Sequence, residues 1–299
     1  MILLTGGTGF LGSHILEGLI QSYPNEIVLL KRKRSGLNKI AHLQRGLYET
    51  FDIEDGGVEA LYSRYPIHTI INCAICYGRS GEKNSEVIAT NLTFPINLIE
   101  EGLTHGLRLF VNMDSYFNKE NMAYSHLLNY AVSKKSFLVW LQYYSSRLKV
   151  ANLVLEHMYG PRDGEEKFVA MLLRKIAFRK DAQVDLTHGH QMRDFIYVKD
   201  VVSACLCVLE ESYKKNFRFR SYGVGTGDVK QIRDVPLIIS RLSKSPTVLN
   251  FGAIPYRKDE IMSSFADASE LNNLGWFPEF DLESGLADIL HRDEGNRDE

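Results

Sequence analysis

An apolar strand runs straight into a glycine-rich turn, TGGTGFLG at residues 5–12, and a helical segment follows at once. That order constrains the fold more than any other feature of the chain. Gly6, Gly9 and Gly12 recur at every third residue. Glycine allows a tight turn and a close backbone approach to a pyrophosphate, while the helix that follows offers N–H donors and the positive end of its dipole. A glycine triplet alone is a weak signal; one lying between a strand and a helix has the context this chemistry requires. Gly6, Gly9, Phe10, Leu11 and Gly12 are the expected contacts of a dinucleotide.

The rest of the first half alternates short β-branched runs with helical segments, the pattern of a parallel sheet covered by helices. Strands are expected at residues 1–4, 26–30, 50–53, 68–73, 107–112 and 150–155, and helices at 12–22, 87–102 and 126–148. This predicts an α/β fold, a Rossmann-type doubly wound parallel sheet with a smaller C-terminal substrate lobe. After Tyr159-Gly160-Pro161 the rhythm changes, with helical segments at 168–178 and 200–211. The dinucleotide-binding lobe is expected to comprise residues 1–160, with 195–225 returning to it. Residues 161–194 and 226–299 form the second lobe, over the sheet's carboxyl edge, where open α/β sheets bind ligands.

The end of the second strand bears on the choice of dinucleotide. An acid there suits the ribose hydroxyls of NAD; a base suits the 2′-phosphate of NADP. The strand ends Leu30-Lys31-Arg32-Lys33-Arg34, without an acid. Arg32 is the first candidate for the phosphate, with Lys33 or Arg34 assisting, so NADPH is the expected cofactor and NAD the alternative. Asp52 and Ile53, ending the next strand, are expected to flank the adenine. Ala74, just past the fourth strand, is a further expected cofactor contact, and Tyr77 is expected to line the substrate pocket. In Tyr130-Ala131-Val132-Ser133-Lys134 a phenol and an ammonium lie four residues apart on one helix face. A nearby ammonium favours the phenolate, so Lys134 is expected to lower the Tyr130 pKa and poise it for proton transfer to an alcohol or carbonyl oxygen. Together with the glycine turn, the pair suggests hydride chemistry on a nicotinamide.

A formal net charge of −2 gives no reason to expect nucleic acid or a membrane surface as partner. No apolar run approaches the roughly 18 residues of a membrane span, and residue 1 enters a strand with no signal-peptide pattern, so the expected compartment is the cytosol. Cys73 and Cys76 match a CxxC spacing, but Cys73 follows Ile70-Ile71 and reads as the end of a buried strand. No second Cys/His pair offers metal-ligand spacing, so no metal is expected. The long helix is apolar on more than one side, with Leu127, Leu128, Val132, Phe137, Leu138, Trp140, Leu141 and Tyr144. One face can cover the sheet and the other needs a partner, which predicts a homodimer packed through this helix.

TGGTGFLG, Asn91 within ATNLTFPINLIE, the Tyr130/Lys134 pair, MYGPRDG at 158–164, RDFIYVKDVVSA at 193–204 and FADASELNNLGWFP at 265–278 follow one another across nearly the whole chain. In this the chain resembles the extended short-chain dehydrogenase/reductases that act on nucleotide-activated sugars. The segments NMDSYFNK from Asn112, LEHMYGPRDGEEKF from Leu155, HQMRDFIYVKDVV from His190 and FGAIPYRKDEIMSS from Phe251 are similar to the CDP-abequose and CDP-paratose synthase branch. That branch reduces the 4-keto group of a CDP-4-keto-3,6-dideoxyhexose with NADPH for O-antigen synthesis. The resemblance implies a nucleotide-diphosphate sugar substrate. Tyr130 would be the acid, Lys134 would hold the nicotinamide ribose, and Asn91 would lie at the cofactor. His157 would lie near sugar and nicotinamide, Phe168 would pack the base, and Lys167, Arg193 and Arg257 would serve the diphosphate.

One position departs from the family. Its catalytic Ser or Thr falls here on Met113, four before Phe117, and methionine cannot donate a hydrogen bond. Ser115 is the nearest hydroxyl able to take the role. Relatives that eliminate water place Asp-Glu after that Thr; here Asp114 stays and Ser115 replaces the Glu, which argues against a dehydratase and leaves Asp114 open to a loop-turn reading. The alternatives are a reductase of a dTDP or GDP sugar, an NDP-hexose epimerase with bound NAD, and a degenerate dinucleotide-binding protein without catalysis.

Overall fold

In the computed structural model, which describes residues 1–118 and 127–295, the chain contacts divide into two units. The first comprises Met1–Val154 and Val202–Tyr222; the second comprises Leu155–Val201 and Gly223–Glu299. The divide thus falls at residue 155 where 160 was expected, and the returning segment is 202–222 where 195–225 was expected.

The first unit is built on a seven-stranded sheet. Its strands are β1 (Ile2–Thr5), β2 (Ile27–Lys31), β3 (Glu49–Asp52), β4 (Thr69–Asn72), β5 (Leu109–Ser115), β6 (Lys149–Leu155) and β10 (Phe219–Val224). They lie in the order β10-β6-β5-β4-β1-β2-β3. β1 pairs in parallel with both β2 and β4, and the chain switches direction across the sheet at that point. Such a switch opens a crevice at the strands' carboxyl ends. The predicted Rossmann-type order is present. β1 and β4 are buried throughout, as strands covered on both faces must be.

The helices of this unit are α1 (Phe10–Ser22), α2 (Gly57–Arg64), α3 (Asn84–Ile88), α4 (Phe94–Thr104), α5 (Leu128–Tyr144) and the greater part of α7 (Val198–Lys214). α3 and α4 are one run joined by a π-helical turn, Ala89–Thr93. α5 covers 128–144 of the expected 126–148; residue His126 lies outside the described residues, and the helix ends before the short loop into β6. Its inner face packs on the sheet, with Phe137 edge-on to Phe110 of β5 at 5.8 Å between ring centroids.

β5 runs to Ser115, three residues beyond its expected end at Asn112. Met113, Asp114 and Ser115 lie past that expected end, yet they and Asn112 are buried. A chain of side-chain amides serves two of them. Asn112 donates to Asn152 at 2.8 Å, and Asn152 donates to Asp114 at 3.0 Å.

The second unit holds β7 (His157–Tyr159), β8 (Gln183–Leu186), β9 (Met192–Tyr197), β11 (Val229–Gln231), β12 (Val248–Phe251) and β13 (Ser263–Ser264), with helices α6 (Phe168–Leu172), α8 (Asp234–Leu242), α9 (Ser269–Asn272) and α10 (Leu282–Gly295). β9 is its hub, pairing with β7, β11 and β13. The fully buried Asp194 on β9 accepts from the backbone N–H groups of Thr226, Gly227 and Ala266, at 2.8, 3.0 and 3.1 Å. No helix among the described residues is long and apolar enough to cross a membrane.

The glycine turn has no room for a side chain. Gly6 has φ +66°, and a Cβ there would lie 2.5 Å from the Cys73 carbonyl carbon; one on Gly12 would lie 2.2 Å from the Gly6 oxygen. Gly6→Ala is therefore expected to cost about 2–4 kcal/mol in urea unfolding, through left-handed strain and backbone overlap. Gly36→Ala, with nothing within 4 Å, should change stability by no more than about 0.5 kcal/mol.

Candidate active site

The head of α1 fits an anion by its own geometry. Gly9 caps the helix with extended backbone, no side chain bonds the first turn, and no acid lies in it. Its N–H groups are thus left for a ligand, with the helix dipole behind them. The turn is braced from within: Gly9 N–H donates to the Gly6 carbonyl at 2.9 Å. Thr5 Oγ1 donates to Asn72 Oδ1 at 2.7 Å and accepts from Ala74 N–H at 3.1 Å, tying β1 to the end of β4.

At the end of β2, Lys31 is paired with Asp52, so the acid that ends β3 is neutralised by the first residue of the basic run. Lys33 pairs with Asp55, and its N–H donates to Glu54 at 3.1 Å. Arg32 and Arg34 are exposed, and no side-chain partner holds either guanidinium among the described residues. Ile53 packs against the core cluster beneath the sheet.

Tyr130 and Lys134 both lie on the buried face of α5. Three consecutive residues of β5 serve them. The Met113 carbonyl accepts from Lys134 Nζ at 2.6 Å. The Ser115 hydroxyl acts on the Tyr130 phenol and draws its pKa down. Asp114 lies in the strand and not in a loop. Its two oxygens accept from Asn118 at 2.6 Å and from Asn152 at 3.0 Å. Tyr77 lies against Tyr130 with ring centroids 5.0 Å apart, Phe117 meets it edge-on at 5.8 Å, and Arg79 covers the Tyr77 ring.

The expected lowering of the Tyr130 pKa does not occur. Burial pushes it well above the ordinary tyrosine value, Tyr77 adds to the rise, and the Ser115 hydroxyl opposes it. The Lys134 ammonium is directed to the Met113 carbonyl. Spacing places the two groups on one face but is silent on desolvation, which here outweighs charge. Burial also lowers the Lys134 pKa, against an upward pull from Asp114 and Cys73.

Asn91 sits in the π-helical turn and works on protein groups. Its amide donates to the Cys76 carbonyl and to Ser133 Oγ, at 2.8 and 2.9 Å, and its oxygen accepts from Cys76 N–H at 2.8 Å. Ser133 donates to the Tyr130 carbonyl at 2.7 Å. Asn91 thereby fixes the segment after β4 against α5. Cys73 and Cys76 are free thiols, and no His/Cys/Asp/Glu group among the described residues is arranged to hold a metal.

In the second unit Glu156 is buried and accepts from Ser264 Oγ at 2.9 Å; its carboxylate also lies 3.2 Å from His157 Nδ1. Burial lowers the His157 pKa, opposed by Glu156. Arg193 is buried; its guanidinium donates to the Met192 carbonyl at 2.9 Å, to Glu260 at 3.0 Å and to the Ile261 carbonyl. Arg257 is exposed in the loop between β12 and β13, and Lys167 and Phe168 are half-buried at the start of α6. Sequence reasoning passed over Asn118, Asn152, Ser133, Ser264 and Glu260. Asn152 alone left a trace, as a polar residue inside an apolar strand, where burial demands a partner.

Residues 2–225 match the model of the NAD dependent epimerase/dehydratase family. The chain belongs to that family. It is 35% identical over 297 residues to the CDP-abequose synthase of Salmonella muenchen, covering 98% of each chain. To the CDP-abequose synthase of Salmonella typhimurium it is 31% identical over 296 residues, 97% of each. The UDP-glucose 4-epimerase of Thermotoga maritima, solved with UDP-glucose, shares its fold with a TM-score of 0.84 over 99% of each chain, at 23% identity.

The raised Tyr130 pKa predicts that wild type and Tyr130→Phe release the same phenolate absorbance up to the ordinary tyrosine value, 10.0. A phenol titrating near neutrality in wild type alone would contradict it. The unfolded chain gives up this proton first, so Tyr130 makes the protein lose stability as pH rises above 10.0.

Proposed function

We propose that the protein is an NADPH-dependent reductase of the 4-keto group of a nucleotide-activated deoxyhexose, with CDP-4-keto-3,6-dideoxyglucose the first choice. The Ser115 hydroxyl, which draws the Tyr130 pKa down against burial, carries this reading. It is the hydroxyl that Met113 lacks, at the phenol that must give up a proton. The similarity to CDP-abequose synthases over 98% of the chain supports the sugar.

NADPH would lie on the glycine turn of Gly6, Gly9 and Gly12, with Arg32 at its 2′-phosphate, Arg34 nearby and Ala74 beside it; when bound it supplies the hydride for sugar carbon 4. Tyr130 then gives its proton to the oxygen on that carbon. A neutral phenol, held protonated by burial, is in the right state to do so. Ser115 donates to the same oxygen as negative charge develops, and Lys134 orients the ribose. Arg257, Lys167, Phe168 and His157 are the proposed contacts of the nucleotide diphosphate and sugar. Arg193, already engaged with Glu260, braces β9 or reaches phosphate by exchanging that partner.

The test is NADPH oxidation by purified protein with enzymatically made NDP-4-keto sugars. Turnover is expected with the CDP sugar, falling by at least ~100-fold in Tyr130→Phe, while Arg32→Ala raises KM for NADPH by about 10–100-fold and spares NADH. No NADPH consumption with any 4-keto sugar would sink the reading and favour an epimerase with retained NAD.

We further propose that α5 packs against a second copy of the chain. Val132, Val139, Trp140 and Tyr143 are exposed along it, at 54%, 65%, 43% and 61%, and a groove of about 960 Å³ lined by Ile88, Leu92, Leu128 and Val132 continues the apolar surface. Val139→Glu is expected to convert a dimer to a monomer in light scattering; an unchanged mass for both proteins would contradict the surface's role.

A further inference from the structure

Asp114 has no role in the reading above, yet it is a buried carboxylate next to the groups that act. Side chains alternate along a strand, so Phe110, Asn112 and Asp114 share one face of β5. Phe110 meets Phe137 of α5 on that face. Asp114 therefore lies under the helix that carries Lys134, and Lys134 Nζ is bonded to the carbonyl of the residue just before it, at 2.6 Å. Both Asp114 oxygens are committed as acceptors, to Asn118 from the turn after β5 and to Asn152 from β6. A carboxylate so clamped accepts and does not donate. It is poorly placed to protonate a sugar, as the aligned acid of a dehydratase would.

Lys134 is buried, and an ammonium taken out of water sheds its proton unless a charge or strong acceptors compensate. The Met113 carbonyl supplies one acceptor but no charge. The charged or titratable groups that act on Lys134 are Asp114 from β5, which favours the ammonium, and Cys73 beyond β4. Cys73 is a thiol whose own pKa burial pushes up. Asp114 is left as the standing negative charge.

We infer that Asp114, fixed by Asn118 and Asn152, is a positioning residue that serves as the countercharge of Lys134 and keeps it an ammonium at working pH. The strand triplet then divides its labour: Met113 gives a carbonyl to Lys134, Asp114 a charge to Lys134, and Ser115 a hydroxyl to Tyr130. This rests on the reductase reading for its purpose, though not for its test.

The test reads Lys134 directly, without turnover. Protein carrying lysine labelled with carbon-13 at Cε is titrated by NMR, and the Lys134 signal is assigned by its loss in Lys134→Arg. In wild type the signal is expected to remain that of an ammonium at neutral pH; an amine there would overturn the inference. In Asp114→Asn the titration midpoint should move to lower pH, and Asp114→Ser is the second variant should the first not fold. An unmoved midpoint in a folded variant would also overturn it. A merely structural role would lower stability and leave the midpoint in place. With turnover established, the basic limb of the kcat/KM profile should move acidward with the NMR midpoint. If wild type turns over no keto sugar, the reductase reading fails while the titration still decides the role of Asp114.

Discussion

No atom beyond hydrogen fits on Gly6 or Gly12, because each lies against backbone that cannot yield. The Gly6 backbone meets the end of β4 at Cys73 and Ala74, and Gly12 packs on Gly6 itself. These approaches bring the head of α1 down onto β1 and β4, the two strands at which the sheet changes direction. Thr5 and Asn72 lock the same junction by hydrogen bonds. The anion-binding end of α1 and the segment carrying Cys76 and Tyr77 are consequences of that packing. The π-helical turn extends it, since Asn91 ties Cys76 to Ser133 and so sets Tyr130 relative to β4.

Desolvation dominates the chemistry of this unit. It raises the pKa of Tyr130 and lowers that of Lys134, so both groups are driven toward their neutral forms. For a proton donor that is useful in Tyr130 and harmful in Lys134. The asymmetry accounts for the neighbours each is given: a hydroxyl for the phenol, a carbonyl and a nearby carboxylate for the ammonium. A bound dinucleotide would add its ribose and phosphates to this balance, and the poise of the pair belongs to that complex.

The order of the sheet was legible because buried parallel strands appear as short apolar runs and the glycine turn marks where the first of them ends. Strand β5 was misjudged for a physical reason. Its last four residues are polar or flexible in type, and the partners of Asn112 and Asp114, Asn152 and Asn118, lie elsewhere in the chain. The helix face shared by Tyr130 and Lys134 could be read from spacing; the sign of the pKa shift could not, because burial is not a local property. The same holds for Arg193, whose engagement with Glu260 joins residues 67 apart. Ser115 can be read as the substitute from position alone, while its action on Tyr130 depends on the strand running on to it.

The most direct test of the central claim, hydride delivery to carbon 4 with Tyr130 as acid, is isotopic. The reaction is run with NADPH deuterated at nicotinamide carbon 4, and the sugar product is examined by NMR. The account predicts deuterium at sugar carbon 4, with one stereochemistry, and none in product from Tyr130→Phe at matched times. Deuterium at another carbon, or a product that keeps only the sugar's own hydrogen, would contradict it.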